Sequence, residues 1–482
     1  MAASERSPDL LFANFVIVTM LKPMSNPRIL LTLLLPLVTC FCACPTLAGS
    51  DNIVVLVSVD GLAHYYFDDP KAEMPTIRRL AKEGARAGMM RASMPTVTWP
   101  NHTTLVTGVD PARHGVIGNS YFDRAKGEVV QLIVDPIFNK EELVTSPTIY
   151  DVAKKAGLRT ASILWPATRG APSLDWTMPE VGSMDLIEKY STPGLLNEFK
   201  EAGIPYEMNI EWRTQDKGRI RDRMFMQMFN HVIRVHQTNL ALLHLVELDH
   251  VEHAHGPQSP EAYSAVKFED QIVFEVWNAL QTYYPGRATL IVASDHGFLP
   301  YRRQIMPNVL LRQDGLLTAI GSKITGGKVR ALAQGGASFI YIQKGEDRAV
   351  IAEQITKRFR EMEGVDLVIE PADFVRYGLA DASKDPRMPD LILSAKPGYS
   401  FTDIAGGEVS VTPESHETKG SHGFDPNQPG MHASFVAWGA GIRPGATLGT
   451  ISNTSVAPTI GALLGLKMEG TDGKVLDEIL GK

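Results

Sequence analysis

Short, continuous apolar segments that end in an acidic residue constrain the fold of this chain most. The first of them, Ile53–Val59, is followed directly by Asp60 and Gly61. Strands that are apolar on both faces belong in the middle of a parallel sheet with helices on either side. Open sheets of this kind bind their ligands at the carboxyl ends of the strands. The segment therefore predicts an α/β fold with Asp60 at a functional site, although an acid here also suits a turn or a helix cap.

The rest of the chain continues this alternation of apolar strands and amphipathic helices. Two further apolar segments, 240–248 and 288–293, are predicted strands that also lead into acidic residues and histidines. The other predicted elements are strands at 160–164 and 433–438 and helices at 76–83, 147–156, 219–236, 259–284, 349–363 and 456–464. This order indicates a mostly parallel sheet flanked by helices.

Two stretches depart from this pattern. Residues 171–218 are mixed in composition and contain several prolines, which indicates an excursion over the surface. From 301 to 400 polar and charged residues become more frequent, and segments such as 337–343 alternate as half-exposed antiparallel strands do. We therefore predict a catalytic core made of residues 49–300 and 401–482, with 301–400 inserted as an α+β cap.

The segment 94–108 contains a candidate nucleophile at the start of a helix. Thr98 comes two residues before Pro100, which suits the first helical turn, and Gly108 ends the helix. The free N–H groups and the dipole at a helix start favour an anion, so this position suits both a bound phosphate and an alkoxide on Thr98. For an isolated threonine, a role as helix N-cap is the simpler interpretation. The acidic residues and histidines at the other strand ends favour the interpretation of Thr98 as a nucleophile.

Acidic residues and histidines beyond the other predicted strands are candidate metal ligands. Asp249 and His253 are four residues apart, so both side chains lie on one face of a helical turn. Asp295 and His296 follow the strand at 288–293, and Gly297 permits a turn that lets both reach one ion. Spacing alone leaves three neighbouring residues as rival ligands, namely His250, Glu252 and His255.

These side chains together supply oxygen and nitrogen ligands without any thiolate. The set consists of Asp60, Asp249, His253, Asp295, His296 and His422. It fits two divalent metal ions, and the mixture of imidazole and carboxylate favours zinc, with manganese or iron as alternatives. Two adjacent ions can stabilise the attacking and the leaving oxygen of a displacement at phosphorus.

Two further residues are candidates for substrate contact. The Asn119 amide can donate a hydrogen bond to a phosphoryl oxygen, although asparagine is also an ordinary turn residue. The guanidinium of Arg169 follows a predicted strand and suits phosphate oxygens, although a solvated loop arginine is the alternative.

The composition excludes one class of partner and indicates export. The formal net charge is −7, so no global positive field would collect polymeric nucleic acid. Residues 1–48 resemble a secretory signal peptide, because an apolar run at 29–44 is followed by a small-residue cleavage pattern. All three cysteines lie in this segment, so a mature chain from residue 49 would contain no disulfide. A longer N-terminal membrane anchor or a lipoprotein-type attachment is the alternative, and Met20 or Met24 is the expected start of translation.

In combination and order, these motifs resemble the nucleotide pyrophosphatase/phosphodiesterase family of the alkaline phosphatase superfamily over residues 52 to 466. The matching segments are 58–61, 95–102, 107–108, 114–115, Asn119, Asp249 with His253 and 256–257, 294–297 and 421–423. The resemblance implies an alkaline-phosphatase-like α/β core in which one zinc ion is held by Asp249, His253 and His422. It implies a second zinc ion held by Asp60, Asp295, His296 and the Thr98 oxygen. Thr98 is then the nucleophile that forms a phospho-threonine intermediate, while Asn119 and the Thr98 backbone N–H bind a non-bridging oxygen.

The sequence also departs from the family pattern. Trp99 stands where the family usually has Phe or Tyr, which keeps an aromatic wall for the substrate. The Arg169-Gly170-Ala171 segment resembles threonine-dependent phosphomonoesterases of the same superfamily, in which a cation binds the extra charge of a monoester. Segments 114–122 and 147–156 also resemble phosphonoacetate hydrolases.

These features predict an exported two-metal hydrolase that cleaves phosphodiester or pyrophosphate bonds in small nucleotide-type substrates. A phosphomonoesterase or phosphonoacetate-type hydrolase of the same superfamily is one alternative, and an inactive surface binding protein that retains its metals is another. Polymeric nucleic acid is not an expected partner, and no membrane contact is expected beyond an N-terminal anchor. The mature protein is expected in the periplasm or outside the cell, and its oligomeric state stays open.

Overall fold

The computed structural model describes residues 52–135, 137–343, 345 and 347–481 of the chain. The predicted signal peptide at 1–48 and all three cysteines lie outside these residues. None of the helices in the described ranges combines the length and the apolar composition that a membrane crossing requires.

Strands and helices alternate through most of the chain. The strands are β1 Ile53–Val59, β2 Ala85–Arg91, β3 Ser120–Asp123, β4 Glu128–Gln131, β5 Thr160–Ile163, β6 Trp176–Met178, β7 Leu240–Leu245, β8 Ala288–Ala293, β9 Leu299–Ile305, β10 Leu317–Ile320, β11 Lys323–Gly327, β12 Val329–Gln334, β13 Ala337–Ile342, β14 Val365–Ile369, β15 Leu391–Ala395, β16 Gly398–Phe401, β17 Lys419–Ser421, β18 Phe435–Gly439 and β19 Ala446–Ser452. The α-helices are α1 Pro75–Glu83, α2 Thr98–Thr107, α3 Pro111–His114, α4 Lys140–Leu143, α5 Ile149–Lys155, α6 Met184–Tyr190, α7 Leu195–Glu201, α8 Asn209–Thr214, α9 Gly218–His236, α10 Glu247–His255, α11 Pro260–Tyr283, α12 Pro307–Gln313, α13 Arg348–Arg360 and α14 Val456–Leu463.

An eight-stranded sheet in the order β19-β2-β18-β8-β1-β7-β5-β6 forms the centre of the fold. Strand β1 pairs in parallel with both β7 and β8, and only β18 runs against its neighbours in this sheet. The predicted mostly parallel sheet flanked by helices is confirmed.

The apolar run of β1 is buried because helices cover the sheet on both faces. Alternate residues Ile53, Val55, Val57 and Val59 pack in one apolar cluster with side chains of α9 and α11. The intervening Val54 and Leu56 pack in another cluster with side chains of α5 and α14. Because successive strand residues point to opposite faces, a strand covered on both sides is apolar at most of its positions.

A second, four-stranded antiparallel sheet in the order β12-β13-β15-β14 lies within the segment predicted as a cap. The predicted half exposure of 337–343 is wrong, since all six residues of β13 are buried. Ile340 and Ile342 pack in one apolar cluster, whereas Phe339 and Tyr341 pack in another, so both faces of β13 are covered. The division into a core and a cap at residues 301 and 400 stays a prediction.

The predicted surface excursion at 171–218 is also wrong in part. Its strand β6 forms one edge of the central sheet, beside β5. Ile187, Leu195 and Phe199 of this segment are completely buried in the same apolar cluster as α9 and α11. The segment therefore extends the core, and its last part approaches the carboxyl ends of the strands.

Strand β7 ends three residues earlier than predicted. Helix α10 begins at Glu247, because the backbone N–H groups of Val246 and Glu247 donate to the Asp222 carboxylate at 2.8 and 2.7 Å. Asp249 and His253 consequently lie on a helix that starts at the carboxyl edge of the sheet.

Candidate active site

The ends of β1 and β8 bring three candidate ligands together. Asp60 directly follows β1, and Asp295 and His296 follow the neighbouring β8. The His296 Nε2 atom lies 3.4 Å from Asp60 Oδ1 and 3.0 Å from Asp295 Oδ2. All three side chains are buried, with Asp295 and His296 at 0% exposure.

A second group forms where α10 meets the segment after β17. Asp249 Oδ1 lies 3.5 Å from both His253 Nε2 and His422 Nε2, and the two imidazole nitrogens are 3.1 Å apart. The Nδ1 atoms of His253 and His422 face the backbone carbonyls of Gly420 and Thr96 at 3.1 and 3.0 Å. Donation to these carbonyls fixes each ring and leaves its Nε2 lone pair free, as in metal sites whose ligands are held by an outer layer of hydrogen bonds.

These distances fit divalent metal ions. Ligands held at about 2.0–2.1 Å in a tetrahedron are about 3.3–3.4 Å apart, close to the separations within both groups. Asp249 approaches Asp60 and His296 as well as His253 and His422, so the two groups adjoin. Four buried atoms that face the site have no hydrogen-bond partner, namely Asp60 Oδ1, Asp249 Oδ1, Asp295 Oδ2 and His296 Nε2. Buried polar atoms without partners are costly, and bound cations would satisfy them.

The pKa shifts of these side chains also favour bound cations. Burial, followed by the charge of Asp249, raises the pKa of Asp60 well above its ordinary value. Burial, followed by the charge of Asp60, likewise raises the pKa of Asp295 well above its ordinary value. Burial lowers the pKa of His422 to about 4, so its imidazole is neutral at neutral pH and available as a ligand. Cations between the carboxylates would offset their repulsion.

Helix α2 presents Thr98 at its first position, after Val97 as the extended N-cap residue. The N–H groups of a first helical turn have no acceptor within the helix. The Asn119 side-chain oxygen accepts a hydrogen bond from the backbone N–H of Trp99 at 2.9 Å, which leaves the Asn119 amide nitrogen as a donor near Thr98. Thr98 is thus part of the first turn rather than its cap, in agreement with a role beyond capping.

The other three candidate ligands on α10 lie outside both metal-ligand groups. His250 is exposed, and its Nε2 lies 2.6 Å from an Asp216 oxygen. Glu252 is buried and accepts a hydrogen bond from the Tyr66 hydroxyl at 2.5 Å, while His255 is exposed. Asp249 and His253 alone on this helix join the histidine of the 421–423 segment.

Two residues predicted to contact the substrate are buried against other side chains. Trp99 is completely buried and its indole N–H donates to Glu180 at 2.8 Å, so its ring forms no exposed aromatic wall. The Arg169 guanidinium is buried 3.9 Å from an Asp135 oxygen and over the ring of Tyr190. The structure therefore does not support either residue as a substrate contact, because neighbouring side chains already cover both.

A cavity of about 240 Å³ lies in front of Thr98. Asp60, Asp249 and His244 line it on the side of the sheet. Another part of its wall consists of residues of the 171–218 segment and the start of α9, which include Glu180, Trp212, Arg213, Lys217 and Arg221. The candidate nucleophile and members of both metal-ligand groups therefore face one space that is large enough for a small ligand.

Sequence reasoning missed His244 and the three cationic residues of the cavity. His244 Nε2 lies 2.9 Å from Asp60 Oδ2, so it holds the second oxygen of this candidate ligand. A histidine within the otherwise apolar β7 was the signal that could have identified it. Arg213, Lys217 and Arg221 belong to no recognisable motif, and only the fold brings them to the site.

Comparison with known proteins relates this arrangement to one family. Residues 54–425 match the sequence model of the type I phosphodiesterase / nucleotide pyrophosphatase family. Human ectonucleotide pyrophosphatase/phosphodiesterase family member 7 is 24% identical over 428 residues, which cover 88% of this chain and 82% of the human protein. A venom phosphodiesterase of Crotalus durissus collilineatus is 23% identical over 436 residues, which cover 87% of this chain and 45% of the venom protein.

Solved structures agree with this relation at the level of the fold. Human ectonucleotide pyrophosphatase/phosphodiesterase 5 superimposes with a TM-score of 0.68 at 20% identity, covering 89% of this chain and all of that structure. The murine protein 5 superimposes with a TM-score of 0.66 at 19% identity and the same 89% coverage of this chain, as an inactive threonine-to-alanine variant in complex with AMP.

Proposed function

Because the chain belongs to the type I phosphodiesterase / nucleotide pyrophosphatase family, we propose that it hydrolyses phosphodiester or pyrophosphate bonds of nucleotide-type substrates at Thr98. The relatives that share this family are named as hydrolases of these bonds. The observation that carries the proposal is the cavity, in which Thr98 faces Asp60 and Asp249 from the two metal-ligand groups.

Enzymes of this family depend on metal ions, and the residues of this chain fit two divalent ions, for which we propose zinc. Asp249, His253 and His422 would hold one ion, and Asp60, Asp295 and His296 with the Thr98 oxygen would hold the other. When bound, such ions supply Lewis acidity and lower the pKa of a coordinated hydroxyl.

The residues of the chain itself define the reaction path that we propose. The Thr98 oxygen attacks phosphorus, a bond from phosphorus to the leaving oxygen breaks, and a phospho-threonine intermediate forms. The Asn119 amide and the Thr98 backbone N–H stabilise the negative charge on a non-bridging oxygen. Water then attacks phosphorus, and the bond between phosphorus and Thr98 breaks with return of a proton to the hydroxyl. The inactive threonine-to-alanine variant of the murine relative in complex with AMP supports a threonine in this role.

The phosphomonoesterase alternative rested on Arg169. Since Asp135 and Tyr190 cover its guanidinium, no observation on this residue favours a monoester over a diester. We further propose export through the N-terminal segment and a small phosphorylated compound, not polymeric nucleic acid, as the substrate.

Steady-state kinetics of the full-length, zinc-loaded protein test this proposal. We expect kcat/KM for a p-nitrophenyl ester of thymidine 5′-monophosphate to exceed that for p-nitrophenyl phosphate by at least about 100-fold. A preference for the monoester would contradict the phosphodiesterase assignment. Hydrolysis of neither compound, with zinc bound, would favour the inactive binding protein.

A further inference from the structure

One wall of the cavity in front of Thr98 carries three cationic side chains. Arg213 lies on α8, Lys217 lies between α8 and α9, and Arg221 lies one turn into α9. Arg221 is half-buried, and its Nε donates to the Asn209 side-chain oxygen at 3.2 Å. The cavity thus combines a candidate nucleophile with three cationic side chains in its lining.

These three cations form no ion pair with any residue that the structure describes. Among the described residues, no carboxylate oxygen lies within 4.0 Å of the charged groups of Arg213, Lys217 or Arg221. Their neighbour Arg219, by contrast, pairs with Glu247 at 3.1 Å and does not line the cavity. The charges on the wall are therefore available to a ligand.

The acidic residues that line the same cavity have other partners. Asp216 lies 2.6 Å from His250, and Glu180 accepts the indole N–H of Trp99. Asp60 and Asp249 belong to the metal-ligand groups. Each of these acids therefore has a contact of its own or belongs to a metal-ligand group, and none forms an ion pair with the three basic side chains, although the charge of Glu180 acts on Arg221 at longer range.

We infer that this wall binds a second anionic group of the substrate, a phosphate or carboxylate carried by a substituent of the scissile phosphorus. This inference rests on the proposed function, because it takes the cavity as the place where the phosphoester binds. Guanidinium groups suit the planar or tetrahedral oxygens of such anions. The same charges disfavour a substituent with a quaternary ammonium group, so the wall selects by repulsion as well as by attraction.

Three small phosphodiesters whose variable substituent is neutral, anionic or cationic test the inference. They are methyl propyl phosphate, methyl 2-carboxyethyl phosphate and methyl 2-(trimethylammonio)ethyl phosphate. Their dissociation constants are measured by calorimetry on the full-length, zinc-loaded Thr98→Ala protein, which prevents turnover. The methyl group is small enough that the variable substituent can occupy the cavity whichever side of phosphorus faces the wall.

We expect the carboxylate ester to bind about tenfold more tightly than the propyl ester, since three partly exposed charges each strengthen binding by about twofold. The ammonium ester should bind most weakly. The preference should diminish as the salt concentration rises, because salt screens exposed charges.

Substitutions on the wall identify the residues responsible. In the Thr98→Ala background, Arg213→Gln with Lys217→Gln, and separately Arg221→Gln, should reduce the ratio between the carboxylate and propyl esters. Arg223→Gln is the matched control, because this exposed residue lies on the same helix but lines a different cavity. Arg221→Lys keeps the charge and should keep most of the preference, which separates loss of charge from a disturbed fold.

Each outcome decides between the inference and the proposed function. If the wild-type protein hydrolyses the nucleotide diester but the esters bind equally well to Thr98→Ala, the inference is wrong and the function stands. If the carboxylate ester binds preferentially through the wall but no diester is hydrolysed, the wall is an anion-binding site, whereas the proposed hydrolase function is wrong. The inference would also be wrong if the ratio of the dissociation constants of the carboxylate and propyl esters were the same in the Arg221→Gln and Arg223→Gln proteins.

Discussion

The two walls of the cavity are built in different ways. On one side, Asp60 lines the cavity and is buried with Asp295 and His296 at the ends of adjacent parallel strands. On the other, Arg213 and Lys217 are exposed residues at the end of one short helix and before the next. The strand ends thus hold the candidate metal ligands in place through backbone geometry. Selection among substrates depends instead on exposed side chains, which the fold constrains less. Substitutions on the first wall should therefore affect turnover or metal binding, and those on the second should affect the choice of ligand.

The largest effect is expected from Thr98→Ala. This change removes the attacking oxygen but none of the candidate aspartate and histidine ligands, so kcat should fall by at least about 10⁴-fold with little loss of bound zinc. Stopped assays on the nucleotide diester and elemental analysis of the same sample measure both quantities. Turnover by the alanine protein near the wild-type rate would rule out Thr98 as the nucleophile.

The next largest effect is expected from Asp249→Asn, because Asp249 belongs to both metal-ligand groups. We expect the bound zinc per chain to fall by at least about half, with activity falling in parallel. The control is His250→Gln, since this exposed neighbour is paired with Asp216 and should leave the zinc content unchanged. Equal zinc in all three proteins would contradict the ligand assignment.

A smaller effect is expected from His244→Gln. His244 lies 2.9 Å from the Asp60 oxygen and positions this carboxylate. Outer hydrogen bonds of this kind typically change metal affinity by about 10–100-fold, so the zinc dissociation constant should rise within that range. Competition with a coloured chelator measures it. An unchanged constant would show that Asp60 needs no such support.

The smallest effect concerns a buried acidic pair behind the metal side of the cavity. Asp222, which caps the start of α10, lies beside Glu269, and burial followed by the charge of Asp222 raises the pKa of Glu269 well above its ordinary value. Glu269 is therefore protonated in the folded state over a range in which it ionises in the unfolded chain. Its contribution to stability is present below its ordinary pKa and is lost as pH rises towards the raised value.

Glu269→Gln should remove this pH dependence. The free energy of unfolding in urea, measured between about pH 5 and 8, should decline less with rising pH in the variant than in the wild type. Parallel curves for the two proteins would mean that ionisation of Glu269 does not contribute.

Much of the first wall could be predicted from the sequence. Uniformly apolar strands indicate a covered sheet, and residues such as Asp60 and His296 follow these strands directly along the chain. The spacing of Asp249 and His253 matched helix α10 because four residues span about one helical turn. The spacing could not exclude His250, because only the fold shows that this side chain is exposed and paired with Asp216.

The second wall could not be predicted in the same way. Residues 171–218 show neither a motif nor a clear period, and their composition resembled a surface loop although Leu195 and Phe199 are core residues. The surroundings of Trp99 and Arg169 were hidden from the sequence for a related reason. Their chemical types suit a substrate, but residues distant in sequence lie against them, Glu180 as a hydrogen-bond acceptor for Trp99 and Asp135 at 3.9 Å from Arg169. Contacts between residues far apart along the chain leave no local pattern.

The stereochemical course at phosphorus tests the central claim most directly. A nucleotide diester that is chiral at phosphorus through one sulfur atom is hydrolysed in isotopically labelled water, and the configuration of the product is determined. Attack by Thr98 followed by attack of water involves two displacements, so the account predicts overall retention of configuration. Overall inversion would mean that water attacks phosphorus directly, and it would contradict the assignment of Thr98 as the nucleophile.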